Sequence, residues 1–155
     1  MDLYLLRHAD ANTEAASDDL RPLSEKGISQ ARKVGRFCKD RGLKPELILT
    51  SPVQRATETA EIVAEILKGE LLTERWLACG MQPETAAEEL RGYERFGSVM
   101  IVGHQPDFSL FAAHLLGLRD NEQICIRKAS LTHLELGAFV FGGARLSFSL
   151  PCRLM

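Results

Sequence analysis

Apolar residues along this chain follow two alternating patterns. Continuous apolar runs are typical of strands buried on both faces, and apolar residues at every third or fourth position are typical of helices packed on one face. The continuous runs predict buried strands at residues 3–6, 47–49 and 99–102. Weaker or alternating patterns predict an outer strand at 70–77 and further strands at 130–136 and 145–150.

Amphipathic stretches separate these predicted strands. They predict helices over residues 25–41, 51–67, 83–95 and 106–115. Ser24 is a favourable N-cap for the first helix, and Ser51-Pro52 are predicted to be the N-cap and first residue of the second. Polar residues 9–23 are predicted to form a long loop. The alternation predicts an α/β fold, a three-layer αβα sandwich with a central, mostly parallel sheet flanked by helices.

Length and composition suit one globular domain covering residues 1–155. The net charge of -2 gives no general attraction to nucleic acid or to an anionic membrane, so any anion site has to be local. No apolar run approaches the ~20 residues that span a bilayer, and no export leader precedes the first strand, so we expect a cytoplasmic protein. The four separated cysteines contain no Cys-x-x-Cys pair, and we expect reduced thiols, no metal and no cofactor.

Polar residues follow three of the predicted strands. Arg7 and His8 follow the first strand, Ser51 follows the second with Arg55 one helical turn later, and His104 follows the third. In open α/β sheets, ligands bind outside the carboxyl ends of the strands. If these strands are parallel neighbours, two arginines and two histidines converge on one crevice.

This set of side chains suits a phosphoryl group, which carries close to two negative charges at neutral pH. The guanidinium forks of Arg7 and Arg55 can hold its oxygens, and a helix N-terminus adds N–H donors. A neutral imidazole can attack phosphorus, so we assign His8 as the nucleophile and expect a backbone carbonyl to hold its other ring nitrogen. We expect His104 to donate to the transferring group, and phosphate or sulfate to bind in the same pocket.

Three segments resemble the signatures of the histidine phosphatase superfamily, the phosphoglycerate mutase-like proteins. They are Leu6-Arg7-His8-Ala9, residues 51–60 and Val102-Gly103-His104, in matching order and spacing. Residues 17–27 and 150–152 are similar to segments of the short SixA-type phosphohistidine phosphatases in that superfamily. The resemblance implies that His8 is the phosphorylated nucleophile and that Arg7, Arg55 and His104 form the phosphate pocket.

The sequence departs from the superfamily pattern at two places. Ala9 replaces the usual glycine, which would cause strain only if the position needs a positive φ. No glutamate follows Leu77, in the region where larger members carry a catalytic acid, so the resemblance assigns no general acid. Candidates for an assisting carboxylate are Asp10, Asp18 and Asp19, and candidate substrate contacts are Arg21 and Ser51.

The missing acid favours one substrate class. An alcohol leaves poorly without a proton donor, whereas the imidazole of a phosphohistidine leaves readily once it is protonated. We therefore expect a metal-independent protein phosphohistidine phosphatase that acts on a phosphorylated signalling domain through a phosphohistidine intermediate on His8.

The sequence leaves three alternatives to this expectation. One is a small-molecule phosphomonoesterase of the same superfamily, and another is a non-catalytic module that binds phosphate or a phosphoprotein. The third is a metal hydrolase with ligands from His8-Ala9-Asp10, which is disfavoured because Arg7 and Arg55 would repel a divalent cation.

Overall fold

The computed structural model describes residues 1–120 and 124–155. Its strands are β1 (Asp2–Arg7), β2 (Leu47–Thr50), β3 (Glu70–Thr73), β4 (Ser98–Gly103), β5 (Leu131–Leu136) and β6 (Ala144–Leu150). Its α-helices are α1 (Glu25–Asp40), α2 (Gln54–Leu67), α3 (Pro83–Arg91) and α4 (Asp107–Leu116). In the described residues the six strands form one sheet, with the spatial order β3-β2-β4-β1-β5-β6.

The sheet is mostly parallel. β1 pairs in parallel with β4, and β2 pairs in parallel with both β4 and β3. β5 and β6 extend the β1 side of the sheet as antiparallel strands. Helical crossovers join the parallel strands, as parallel pairing requires. The carboxyl ends of β1, β4 and β2 therefore lie side by side at one edge of the sheet.

Helices cover both faces of this sheet. Successive side chains of a strand point to opposite faces, so Leu3 and Leu5 pack with residues of α3 and α4, while Tyr4 and Leu6 pack with residues of α1 and α2. Full burial of one such leucine contributes roughly 1.5–3 kcal/mol. Burial on two faces explains the continuous apolar runs, and the predicted three-layer αβα sandwich is confirmed.

Ser24 caps α1 as predicted. Its hydroxyl oxygen accepts a hydrogen bond from the Gly27 N–H at 3.0 Å. A cap of this kind contributes about 1 kcal/mol. The same hydroxyl donates to the Asp10 carboxylate at 2.8 Å, which ties the loop after β1 to the start of α1.

The predicted start of α2 is wrong. The helix begins at Gln54 with Val53 as N-cap, two residues later than the predicted start with Ser51 as N-cap and Pro52 as first residue. Ser51 is buried, and its hydroxyl oxygen accepts the Val53 N–H at 3.2 Å while lying 2.8 Å from Nε2 of His104. The serine therefore stabilises the turn between β2 and α2 and contacts a residue of another strand end.

Two other predicted boundaries extend too far. The outer strand β3 ends at Thr73, because residues 75–77 form a 3₁₀ turn that places Leu77 in the core. Helix α3 ends at Arg91, and reverse-turn hydrogen bonds then replace the helical ones around Gly92. Both local patterns are too short to settle where an element stops.

The loop after β1 folds back over α2. Ala11 and Leu23 form an isolated antiparallel bridge, and the Leu23 N–H donates to the Glu58 carboxylate on α2 at 2.7 Å. A 3₁₀ turn at Asp18–Leu20 lies at the tip of this loop. In the part of the chain described, no helix combines the length and the apolar character that crossing a membrane would need.

Candidate active site

The three strand ends predicted to converge are neighbours in the sheet. The His8 N–H donates to the Gly103 carbonyl at 3.0 Å, and the Ser51 N–H donates to the Val102 carbonyl at 3.0 Å. These bonds continue the parallel ladders one residue beyond the strands. His8, Ser51 and His104 therefore start from the same level of the sheet edge, and all three are buried.

The backbone fixes the tautomer of His8. Nδ1 lies 2.7 Å from the Ala9 carbonyl oxygen, which can only accept, so Nδ1 carries the proton. The backbone carbonyl expected to hold this ring nitrogen is therefore the carbonyl of Ala9, the next residue in the chain. Nε2 of the neutral ring then has a free lone pair, and the Nε–H of Arg55 donates to it at 3.3 Å. The ring presents an unprotonated nitrogen at the position where a nucleophile is expected.

His8 is kept neutral by its surroundings. Its pKa is lowered from 6.5 to about 4, mainly by burial and also by the positive charges of Arg55, Arg7 and Lys128, against the raising effect of the Ala9 carbonyl. Between about pH 4 and 6.5 the unfolded chain therefore binds a proton that the folded chain does not. Stability contributed by the neutral ring is present above this range and is lost as the pH falls through it.

We expect the His8 ring to titrate far below an ordinary histidine. Its nuclear magnetic resonance signals should show a midpoint near pH 4, because the folded pKa is lowered to about 4. The signals are assigned by their loss in His8→Ala. A midpoint between pH 6 and 7 would mean that the ring is solvated and that the charges beside it are not felt.

Arg55 is buried and held on several sides. Its Nε–H faces His8, one terminal nitrogen donates to the Asp18 carbonyl at 2.8 Å, and the other lies 3.1 Å from the Asp18 carboxylate. The second terminal nitrogen also lies 3.7 Å from the Cys79 sulfur. These contacts fix the plane of the guanidinium beside the nucleophile.

His104 lies across from His8, with ring centroids 5.3 Å apart. Its Nε2 is bonded to the Ser51 hydroxyl, and its buried Nδ1 has no hydrogen-bond partner among the described residues. Burial lowers the pKa of His104 to about 3, assisted by His8 and Arg55, so the ring is neutral. If Ser51 donates to Nε2, then Nδ1 of His104 carries a free N–H.

The residue before His104 is Gly103, and a Cβ at this position would lie 2.8 Å from the Phe108 ring.

We expect Ser51→Ala to lower kcat/KM by about three- to tenfold, since one hydrogen bond that orients His104 is worth about 0.5–1.5 kcal/mol. The measurement is hydrolysis of p-nitrophenyl phosphate. Ser98→Ala is the control, because Ser98 lies at the opposite end of β4, where its hydroxyl accepts from the Glu46 N–H and donates to the Lys44 carbonyl. Equal losses in the two variants would show that Ser51 has no special role.

Arg7 borders the same region. One terminal nitrogen donates to the Ile126 carbonyl at 2.9 Å, and its buried Nε has no partner among the described residues. Arg7 directly precedes His8 at the end of β1, and its charge contributes to lowering the pKa of both His8 and His104. Buried polar atoms are normally paired, so two unpaired atoms on Arg7 and His104 indicate a site for a ligand with acceptors.

The candidate carboxylates occupy different places. Asp18 pairs with Arg55 at 3.1 Å and with Arg21 at 2.9 Å, and these cations hold its pKa below the usual value. Asp10 pairs with Lys128 at 2.7 Å and accepts from Ser24, and both contacts lower its pKa. Both groups are therefore ionised at neutral pH and carry no proton to give.

Arg21 contacts the site through Asp18 in the structure. Its Nε donates to the Asp18 carboxylate, and a terminal nitrogen lies 3.4 Å from the Asn12 carbonyl. Contact of Arg21 or Ser51 with substrate stays a prediction. The Asp19 side chain makes no hydrogen bond or ion pair with another described residue, and its charge contributes to raising the pKa of Cys79.

Several residues at the site have no clear sequence signal. The Thr59 hydroxyl accepts the Ala9 N–H at 3.1 Å and donates to the Arg55 carbonyl, which joins the end of β1 to α2. The sequence signal for this role is the position of Thr59 four residues after Arg55, on the same face of the helix. Lys128 and Cys79 reach the site from distant segments. Burial raises the pKa of the Cys79 thiol, which therefore stays protonated at neutral pH.

Ala9 is accommodated without strain. Among the described residues, the non-glycine positions with positive φ are Lys68 and Ala129, so the backbone at Ala9 does not require glycine. Within residues 1–120 and 124–155, no group of three or more His, Cys, Asp or Glu side chains is arranged to hold a metal. The Asp10 carboxylate accepts hydrogen bonds from Lys128 and Ser24, so it is not arranged to bind a metal together with His8.

Comparison with known proteins agrees with this geometry. A family model described as histidine phosphatase superfamily (branch 1) matches residues 3–78. The chain is also 30% identical over 119 residues to the phosphohistidine phosphatase SixA of Escherichia coli, which covers 74% of each protein. The chain belongs to the histidine phosphatase superfamily. The matched segment contains β1 from Leu3 onward and all of β2 and α2.

Other similarities of this histidine phosphatase superfamily member extend over most of the chain. It is 30% identical over 131 residues to a SixA homolog of Haemophilus influenzae, covering 77% of this chain and 80% of the homolog. A solved structure of the protein histidine phosphatase SixA complexed with tungstate superposes with a TM-score of 0.88 at 24% identity, covering 100% of both chains. This superposition shows that the two chains share one fold over their whole length.

Proposed function

We propose that this protein removes phosphate from phosphohistidine on another protein, with His8 as the nucleophile. The observation that carries the proposal is the orientation of His8, whose Nδ1–H is fixed on the Ala9 carbonyl while Nε2 lies 3.3 Å from the Arg55 Nε. A neutral imidazole held in this way can attack phosphorus, and the arginine beside it can hold the phosphoryl oxygens. SixA of Escherichia coli, a phosphohistidine phosphatase, supports the substrate class.

In the proposed first step, a bond forms between Nε2 of His8 and phosphorus while the P–N bond to the substrate imidazole breaks. The substrate ring leaves as neutral histidine with a proton taken from water. In the second step, water attacks phosphorus while the P–Nε2 bond to His8 breaks, and inorganic phosphate and neutral His8 are released. The proton that the attacking water loses to solvent replaces the one taken in the first step. Arg7, Arg55 and a free N–H of His104 would stabilise the charge on the equatorial oxygens in both steps.

The charges around the site support P–N over P–O cleavage. The carboxylates next to it, Asp10 and Asp18, are ionised, and His104 is neutral with a pKa of about 3. None of these groups supplies a proton at neutral pH. An alcohol would leave slowly from such a site, whereas the imidazole of a phosphohistidine needs only a proton from solvent.

The test compares kcat/KM for a histidine-phosphorylated protein domain with kcat/KM for glucose 6-phosphate and for p-nitrophenyl phosphate. We expect the phosphohistidine substrate to be preferred over the sugar phosphate by at least about a hundredfold. The sugar alkoxide is the worse leaving group, and the site has no acid to protonate it. A higher value for the sugar phosphate would favour a small-molecule phosphomonoesterase. An absence of any acid-labile phosphoenzyme would favour a binding module.

A further inference from the structure

A basic cavity adjoins the candidate active site. Its volume is about 440 Å³, and it is lined by Arg7, Lys26, Arg127, Lys128 and Arg153 together with Asp10 and neutral residues. The segments that meet there are the start of α1, the segment before β5 and the residues after β6. Five cations against one carboxylate make a strongly positive region on a chain whose net charge is -2.

Within residues 1–120 and 124–155, ion pairs neutralise little of this positive charge. Lys128 pairs with Asp10 at 2.7 Å. Lys26, Arg127 and Arg153 are exposed, and no carboxylate in the described residues lies within ion-pair distance of them. Three unpaired cations around one depression repel one another, and this repulsion is relieved when an anionic partner binds.

The lining of the cavity argues against a small-molecule pocket. Such pockets are mostly apolar with a few polar groups, whereas the cations that dominate this lining are exposed. The volume of the cavity also exceeds that of one phosphate group, so free phosphate alone would not fill it. The net charge of -2 on the chain gives no general attraction to nucleic acid.

We propose that this basic cavity, lined by Lys26, Arg127, Lys128 and Arg153, binds acidic side chains that flank the phosphohistidine on the substrate protein. Arg7 belongs to both the cavity and the candidate active site, so a phosphoryl group beside His8 places the neighbouring substrate surface over the cations. Complementary charge there orients the partner and raises the association rate. The inference rests on the proposed function and adds what the substrate surface must carry.

The test uses two phosphohistidine peptides that differ only in their flanks, four glutamates in one and four glutamines in the other. Turnover is measured as kcat/KM with the wild-type protein, and binding is measured by fluorescence anisotropy with His8→Ala, which keeps the basic cavity. We expect about a tenfold preference for the glutamate peptide in both measurements at low salt, weakening as salt screens the charges.

The variant Lys26→Glu/Arg153→Glu should lose this preference and keep its activity on p-nitrophenyl phosphate. Lys26→Gln/Arg153→Gln, which adds no negative charge, should lose most of it. The matched control Arg36→Glu/Lys39→Glu changes net charge equally at exposed positions of α1, about 15–20 Å along the helix from Lys26, and should keep the preference.

Equal kcat/KM and equal binding for the two peptides in the wild type would overturn the proposal, as would a preference retained by both Lys26/Arg153 variants. Tighter binding to phosphatidylserine vesicles than to the glutamate peptide, through the same two residues, would assign the cavity to a lipid surface instead. If neither peptide is dephosphorylated, the proposed function fails. Fluorescence anisotropy with His8→Ala still tests whether the basic cavity binds the glutamate peptide more tightly than the glutamine peptide.

Discussion

Replacing His8 with alanine should reduce turnover by at least about 10⁴-fold, because removal of a covalent nucleophile leaves only binding and charge stabilisation. Its Nε2 is the one ring nitrogen at the site that the geometry shows to be unprotonated, held by the Ala9 carbonyl on the far side of the ring and faced by Arg55. The measurement is hydrolysis of p-nitrophenyl phosphate and of a phosphohistidine domain, together with acid-quench detection of labelled phosphoenzyme.

The matched control is His114→Ala. His114 lies on α4, contacts Glu84 at 3.6 Å and packs edge-on against Phe141, away from the strand ends that carry the site. Its loss should lower stability slightly and leave kcat within twofold, about 0.4 kcal/mol. Full activity in His8→Ala, or a phosphoenzyme that persists in it, would refute the proposed mechanism.

Arg55→Ala should lower kcat/KM by about 10²–10³-fold, the usual effect of removing one donor to a developing oxyanion. The substitution also removes a positive charge that lowers the pKa of His8, so the His8 titration should move upward. A role limited to packing would change stability without moving that titration.

Arg55→Lys separates charge from geometry. A lysine ammonium restores a positive charge but not the fork that contacts His8 and Asp18 together. We expect it to recover part of the lost activity, so that its kcat/KM lies between those of Arg55→Ala and the wild type. A lysine variant no better than alanine would place the whole effect on the planar geometry, and wild-type activity in Arg55→Ala would remove Arg55 from the phosphate pocket.

Much of the fold could be predicted because its patterns are local. Two-sided burial makes β1, β2 and β4 continuous apolar runs, and the periodic stripe and Ser24 cap define α1 within a residue. The start of α2 could not be predicted in the same way. Ser51 suits an N-cap by residue type, yet its hydroxyl contacts His104, which is 53 residues away in sequence.

Part of the candidate site also follows from local pattern. Arg7, His8 and His104 stand where apolar runs end, and the carboxyl ends of parallel strands share one edge of the sheet. The structure brings His8, Arg55 and His104 together, and their catalytic roles stay predictions. The ionised states of Asp10 and Asp18 depend on Lys128 and on Arg55 with Arg21, so the sequence could name these carboxylates as candidates without showing that they lack a proton.

The sequence by itself determined the layers, the order of most elements and the residues at the strand ends, since hydrophobic periodicity records which face of each segment is buried. Only the tertiary structure decided the His8 tautomer, the partners of Arg55 and the basic cavity beside Arg7. These features join residues that are far apart in the chain, such as Lys26 and Arg153. Their proximity comes from the packing of whole elements, which no local pattern encodes.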